Sequence, residues 1–215
     1  MTKVLVIADR NPVPSALGEV LSAEKSVDEY AIIGTREPDE AQREVAYRLA
    51  WAITTLGRRF VRTGAAYGID QRAMEGSRPD RLKVYLPWSA YNRDIVPAGS
   101  ATIVYTPAIH YDWTDSVARY HPAASRLSRG AFALHARNFG IVSGTKAVIA
   151  LPGPGGSGGT GQGMRIARAL GINVIQHNKG TIEDAPRLIG KILQDLGLAS
   201  KDLAPTYRPS EINLF

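Results

Sequence analysis

The stretch "AVIALPGPGGSGGTGQGMRIARALGINVI", residues 147–175, decides how the rest of this chain is read. Residues 147–151 form a continuous apolar run, the pattern of a strand covered on both faces. Residues 152–162 then hold six glycines and two prolines in eleven positions. The run "GMRIARALG" places apolar residues at helical spacing and stops at Gly171, and "INVIQ" (172–176) is apolar again. Strand, glycine loop, helix and strand make one unit of a parallel sheet. Glycines at such a strand end let successive backbone N–H groups form a cradle, to which the helix dipole adds positive potential. With a helix expected from near Thr160, the cradle comprises Gly155, Gly156, Ser157, Gly158, Gly159, Thr160 and Gln162, and the two hydroxyls are further donors. The plainer reading is a structural linker. No Lys-Ser/Thr follows the last glycine, and no G-x-G-x-x-G with its downstream acidic residue is present, so neither nucleotide fingerprint applies in full.

Working outward, the apolar runs "VLVIA" (4–8), "YAIIG" (30–34), "RFVRTG" (59–64) and "LKVYLP" (82–87) read as further strands. Helical stretches lie between most of them. "DEAQREVAYRLAWAITTLG" puts Val45, Leu49, Ala52, Ile53 and Leu56 on one face and ends at Gly57. "DAPRLIGKILQDLGL" is amphipathic, with Pro186 tolerated in its first turn. This alternation predicts an α/β fold, a doubly wound and mostly parallel sheet with helices on both faces. It lapses over 88–135, a segment holding Trp88, Tyr91, Tyr105, Tyr111, Trp113 and Tyr120 with three of the four histidines, His110, His121 and His135. The expectation there is a long aromatic-rich insertion, because so long a connection is usually a binding surface. A further helix is expected from about Ala123 to Ser143. One domain over 1–200, followed by an extended arm at 201–215, completes the organisation.

Bulk properties restrict function. The chain has 215 residues, 44% hydrophobic and 21% charged, the composition of an ordinary globular protein. No apolar run approaches the roughly 18 residues of a membrane span, so no membrane partner is expected. "MTKVLVIADRNP" reads as a strand rather than a signal peptide. There is no cysteine, which removes disulfides, thiolate metal sites and cysteine nucleophiles and fits a cytoplasmic location. A net charge of +6 favours phosphate-bearing partners. The histidines show no HxH or HExxH spacing, so no metal is expected, and nothing calls for a cofactor.

In open α/β sheets, ligands sit beyond the carboxyl ends of the strands. Two more loops fall there. In "GTREP" (34–38), Gly34 lets the backbone turn while Thr35 and Arg36 can donate to an anion; the alternative is a plain turn with a surface arginine. In "RTGAAYGIDQRA" (62–73), Gly64, Ala65 and Gly68 allow close approach of a ligand to backbone. Asp70 then stands in the first turn of a helix expected from Ile69, either as a helix-favouring carboxylate or as a ribose- or base-binding group.

In this order, "IIGTREP", "RTGAAYGIDQRA" and "HARNFGIVSGTKAVIALPGPGGSGGTGQG" resemble the SLOG superfamily of Rossmann-like proteins, over roughly residues 29–177. That superfamily includes the DprA/Smf DNA-processing proteins and the LONELY GUY (lysine-decarboxylase-like) phosphoribohydrolases. The "IVGSR", "GxARGID", "RN" and "SGT" elements of DprA-like proteins have counterparts at 32–36, 64–70, 137–138 and 157–160. The resemblance implies a Rossmann-like fold, a nucleotide or single-stranded nucleic acid as partner, and pairing into a homodimer or higher homo-oligomer. It also makes Arg137, with Asn138, a candidate phosphate clamp, since an arginine on the helix before the glycine strand reaches the phosphate region in both branches. A guanidinium beside a nest of N–H groups suits that role. The other reading is a helix-surface arginine in an ion pair.

Two departures bear on the choice of branch. The "PGGxGTxxE" loop of LONELY GUY enzymes carries a glutamate that contributes to N-glycosidic cleavage; here the loop is lengthened and the matching position is Gln162, an amide. An amide is neither a general base nor a negative stabiliser of an oxocarbenium-like centre. If the chain is a nucleotide N-glycosidic hydrolase, Asp70 or Glu75 must substitute, so Asp70, Glu75 and Gln162 are the catalytic candidates. The second departure is that only about forty residues follow the last strand here, so the core alone is expected, without the winged-helix-like domain usual in the DprA branch. A binding protein for nucleotides or single-stranded nucleic acid is the first expectation, a glycosidase the second, and a sensor or sponge for a small nucleotide signal the third. The aromatics of 85–120 can stack bases beside Arg93, Arg119, Arg126 and Arg129, or can form a satellite core under a long loop.

Overall fold

Strand β1 (Glu29–Gly34) lies between β5 (Ala147–Leu151) and β2 (Phe60–Thr63), and both pairings are parallel. The computed structural model describes residues 27–178 and 180–198. The expected strand at 4–8 and the arm at 201–215 lie outside these residues. Beyond β2 come β3 (Leu82–Leu86) and β4 (Ala101–Val104), and beyond β5 comes β6 (Asn173–Gln176). The sheet order is therefore β4-β3-β2-β1-β5-β6, parallel throughout. All five residues of β5 are buried, as the unbroken apolar run requires of a strand covered on both faces.

Helices α1 (Glu40–Trp51), α2 (Ile69–Gly76) and α6 (Ala185–Asp195) cover one face. Their apolar sides close over Ile32, Val61, Val84 and Ile149. Helices α3 (Tyr111–Tyr120), α4 (Arg129–Val142) and α5 (Gly158–Ala169) cover the other, over Ala31, Tyr85, Val148 and Ala150. Neighbouring residues of one strand thus supply opposite cores, as side-chain alternation demands.

Asp39 caps α1 by accepting from the Gln42 amide at 2.7 Å, and the Gln42 side chain accepts in return from the Asp39 amide at 3.3 Å. Where the sequence reads one helix as far as Gly57, the last turn, Ala52–Leu56, is π-helical. The wider turn shifts the helical phase, so Leu56, expected on the buried face, is instead 44% exposed.

The structure also adds order inside 88–135. That segment contains β4, which pairs with β3, together with α3, which lies against α4. The sequence reading passed over β4: its run, Ala101–Val104, is only four residues long and lies within the segment read as an insertion. The helix expected from about Ala123 starts at Arg129, where the Ser128 hydroxyl accepts from the Ala131 amide and fixes the first turn.

Two contacts hold α4 in place. Arg62 of β2 pairs with Glu29 and donates to the carbonyls of Gly140 (3.2 Å) and Ser143 (2.7 Å) at the helix end. Trp113 of α3 lies directly on Gly140, where a Cβ would stand 2.3 Å from its ring. Trp113 also stacks on His110 at 4.0 Å between ring centres and lies 5.7 Å from Tyr85, so these aromatics are packing, while Trp88 and Tyr111 remain exposed. Among the described residues no helix is long and apolar enough to cross a membrane, and no group of three or more His, Cys, Asp or Glu side chains is placed to hold a metal.

Candidate functional site

Chain order reverses beside β1: the connection through α1 runs outward to β2, whereas β5 is reached on the other side. A crevice opens at the carboxyl ends of strands at such a switch point. Here it is a cleft of about 420 Å³, within the range of small-ligand sites.

Three loops build its rim and are cross-linked through the backbone. Following β1, the Thr35 amide donates to the Leu151 carbonyl at the end of β5 (2.9 Å), and the Ile69 amide at the start of α2 donates to the Thr35 carbonyl (3.1 Å). Gly68 packs so tightly here that a Cβ would lie 2.5 Å from the Thr35 carbonyl. The Gln42 side chain, fully buried, donates to the Pro152 carbonyl at 2.9 Å and ties the glycine loop to the α1 cap.

The glycine loop turns through Pro154–Gly156 and enters α5 at Gly158, two residues before the expected start. Gly155, Gly156 and Gly158 hold φ of 73°, 58° and 68°, backbone that side-chain-bearing residues rarely adopt. Ser157 occupies the cap position without a capping hydrogen bond from its side chain. The first-turn amides of α5 have no intrahelical partner, and Gly158, Gly159 and Thr160 line the cleft. A helix N-terminus of this kind suits an anion.

Opposite that turn stand Arg137 and Asn138 of α4. Arg137 is 5% exposed; its Nη1 lies 3.7 Å from Asp70 Oδ2, and its Nε, also buried, has no hydrogen-bond partner among the described residues. The guanidinium crosses Gly64, where a Cβ would come within 1.8 Å of Nη1. Burial pushes the Asp70 carboxyl above the usual carboxylate range, against the opposing pull of Arg137 and of the Ala66 amide. Asn138 Nδ2 donates to Gln162 Oε1 (3.0 Å) and reaches the Gly159 carbonyl (3.4 Å).

The expected site residues separate into three groups. Gly34, Thr35, Arg36, Asp70, Arg137, Asn138, Ser157, Gly158, Gly159 and Thr160 come together around the cleft. Gly64, Ala65, Gly68, Gly155 and Gly156 shape it from behind or from the loop and do not line it. Gln162 is fully buried beneath Asn138 and does not line the cleft; its Oε1 is bonded to Asn138 and to His135 Nδ1, while its buried Nε2 has no hydrogen-bond partner among the described residues. Glu75 lies on an exposed part of α2, engaged by Gln71 (2.9 Å) and Arg72, away from the cleft. Neither Glu75 nor Gln162, both expected as catalytic candidates, lines the cleft.

Sequence reasoning missed Gln42 and His135. The D-x-x-Q spacing before an apolar run marks the α1 cap, but nothing local announces a bond to a carbonyl 110 residues away. His135 lines the cleft with its ring centre 4.2 Å from that of His121, and burial holds its pKa below the usual histidine range.

This architecture recurs in solved structures. DNA processing protein A from Helicobacter pylori, described for its single-stranded DNA binding mode, superposes with a TM-score of 0.53 at 17% identity, over 78% of this chain and 81% of that one. The two proteins share one Rossmann-like fold. The molybdenum cofactor carrier protein of Chlamydomonas reinhardtii aligns over 80% of this chain and 87% of its own, at 18% identity and a TM-score of 0.48. The molybdenum cofactor binding protein of Rippkaea orientalis aligns over 79% of this chain and 99% of its own, at 15% identity and a TM-score of 0.38. No protein-family profile matches the sequence, and no curated protein does at a significant level.

Proposed function

We propose that this cleft binds the phosphate of a nucleotide unit, free or within single-stranded nucleic acid, and that the protein is a binding protein rather than a glycosidase. One observation carries the reading: the buried, incompletely partnered guanidinium of Arg137 faces the same cleft as the open first turn of α5. A buried cation left short of partners is costly, and an anionic oxygen supplies them. Arg36, exposed on the rim, adds positive charge. The fold shared with a DNA-binding protein supports the same direction.

The glycosidase reading is disfavoured because the carboxylate in the cleft wall, Asp70, is engaged by Arg137, while Glu75 and Gln162 do not reach the cleft. The test is a titration with thymidine 5′-monophosphate and with an oligothymidylate at low and moderate salt, with base release followed in parallel. Binding without released base is expected, with affinity falling as salt rises because phosphate contacts displace counterions. Arg137→Ala should weaken binding by roughly thirtyfold or more. Release of free base, or unchanged affinity in Arg137→Ala, would overturn the reading.

A further inference from the structure

We propose that Trp88 is a base-stacking subsite at the outer end of the cleft, so that the ligand is a single-stranded nucleic acid holding one phosphate at the α5 turn and one base on the indole. This rests on the phosphate reading above and names its ligand class.

The geometry comes from α4. Gly130, Leu134, Asn138 and Ile141 recur at helical spacing and share a face, and Leu134, Arg137, Asn138 and Ile141 line the cleft. Gly130, at the outer end of that face, lies 4.0 Å from the Trp88 ring when a Cβ is placed on it. From Gly130 to Asn138 the helix rises about 12 Å. Trp88 therefore packs one turn beyond Leu134, at the end of α4 away from Asn138 and the α5 turn.

The indole is held for stacking and left open. Tyr91 packs edge-on against it, with ring centres 5.1 Å apart and planes at 82°. Asn92 Nδ2 donates to the Ala65 carbonyl at 2.7 Å and pins this loop to the loop bearing cleft-lining Ala66. Yet Trp88 remains 41% exposed, and Tyr67, next to Ala66, is 52% exposed. Neither aromatic is needed to close a core, in contrast to Trp113. Exposed Arg93, Arg126 and Arg129 belong to the same segment, so open aromatic faces and cations occur together, the combination that binds single strands without sequence preference.

The test uses the full chain in a Trp51→Phe background, which leaves Trp88 as the exposed tryptophan among the described residues. Oligothymidylates of increasing length should quench its fluorescence, whereas thymidine 5′-monophosphate should bind with little quenching. Trp88→Ala should weaken oligothymidylate binding roughly tenfold or more and leave monophosphate binding, read by calorimetry, unchanged. Trp88→Tyr should restore much of the loss, which a folding defect would not allow. Full quenching by the monophosphate, or oligothymidylate affinity unaltered in Trp88→Ala, overturns the proposal. Arg137→Ala separates the two readings: loss of both ligands there, with Trp88→Ala silent, leaves the phosphate site standing and removes the stacking site.

Discussion

Arg137 and Asp70 meet at the bottom of the cleft, Nη1 to Oδ2 at 3.7 Å, with both side chains less than a tenth exposed. The distance is too long for a good hydrogen bond, so the pair is electrostatic and leaves guanidinium donors for a third group. Asp70 thereby sets how much of the Arg137 charge a ligand meets.

Replacing Asp70 with Asn should tighten phosphate binding several-fold, because the guanidinium no longer shares its charge. The pH dependence of stability should change as well. Burial raises the folded pKa of Asp70, so the unfolded chain loses this proton first as pH rises. The stabilisation of the protonated form is complete below the ordinary carboxylate pKa and is lost as pH rises through the folded one. Denaturant unfolding from pH 4 to 8 should therefore show Asp70→Asn gaining on the wild type as pH increases. A constant difference would mean that Asp70 does not titrate differently in the folded state.

Gly64→Ala should separate folding from binding. Its Cβ would intrude to 1.8 Å from Arg137 Nη1 and 2.5 Å from Asp70 Oδ2, so the guanidinium must leave its place. Overpacking of this kind costs about 1–3 kcal/mol. Circular dichroism should be native-like while oligothymidylate affinity falls at least tenfold; wild-type affinity would show that Arg137 is not seated as described.

Gln42→Ala should act at a distance. It removes half of the capping box on α1 and orphans the buried Pro152 carbonyl that precedes the glycine loop. Each loss is worth about 1 kcal/mol. Thermal unfolding should fall accordingly, and hydrogen exchange should accelerate in 153–160 more than in β6. Uniform acceleration would indicate a global effect alone.

Gly140→Ala tests the seat of α4. The added methyl would stand 2.3 Å from the Trp113 ring, in a site where neither helix can move freely. A loss of about 1–3 kcal/mol or more is expected in chemical unfolding. Stability within a few tenths of the wild type would show that α3 yields there.

The fold was legible because it rests on local patterns. Unbroken apolar runs such as 147–151 announce strands buried on both faces, and helical spacing in 40–53 announces the covering layer, each readable within a dozen residues. The glycine loop announced itself too, since positive φ at Gly155, Gly156 and Gly158 leaves a compositional mark. Short β4 left only a four-residue mark inside an irregular segment, and the π-turn at Ala52–Leu56 changed a helical phase without changing the apolar spacing that was read.

By itself, then, the sequence determined the α/β class, the carboxyl-end loops and the residue types available to hold a phosphate. Tertiary structure alone decided which of them share a cleft. Gln162 and Asn138 both read as site residues, yet one is walled in and the other lines the opening. Gln42, Gly64 and Trp88 gain their meaning from Pro152, Arg137 and Gly130, partners distant along the chain. The reason is physical: periodicity records which face of an element is apolar, whereas a site is made where strand pairing brings separate elements together, and no short stretch of chain encodes that meeting.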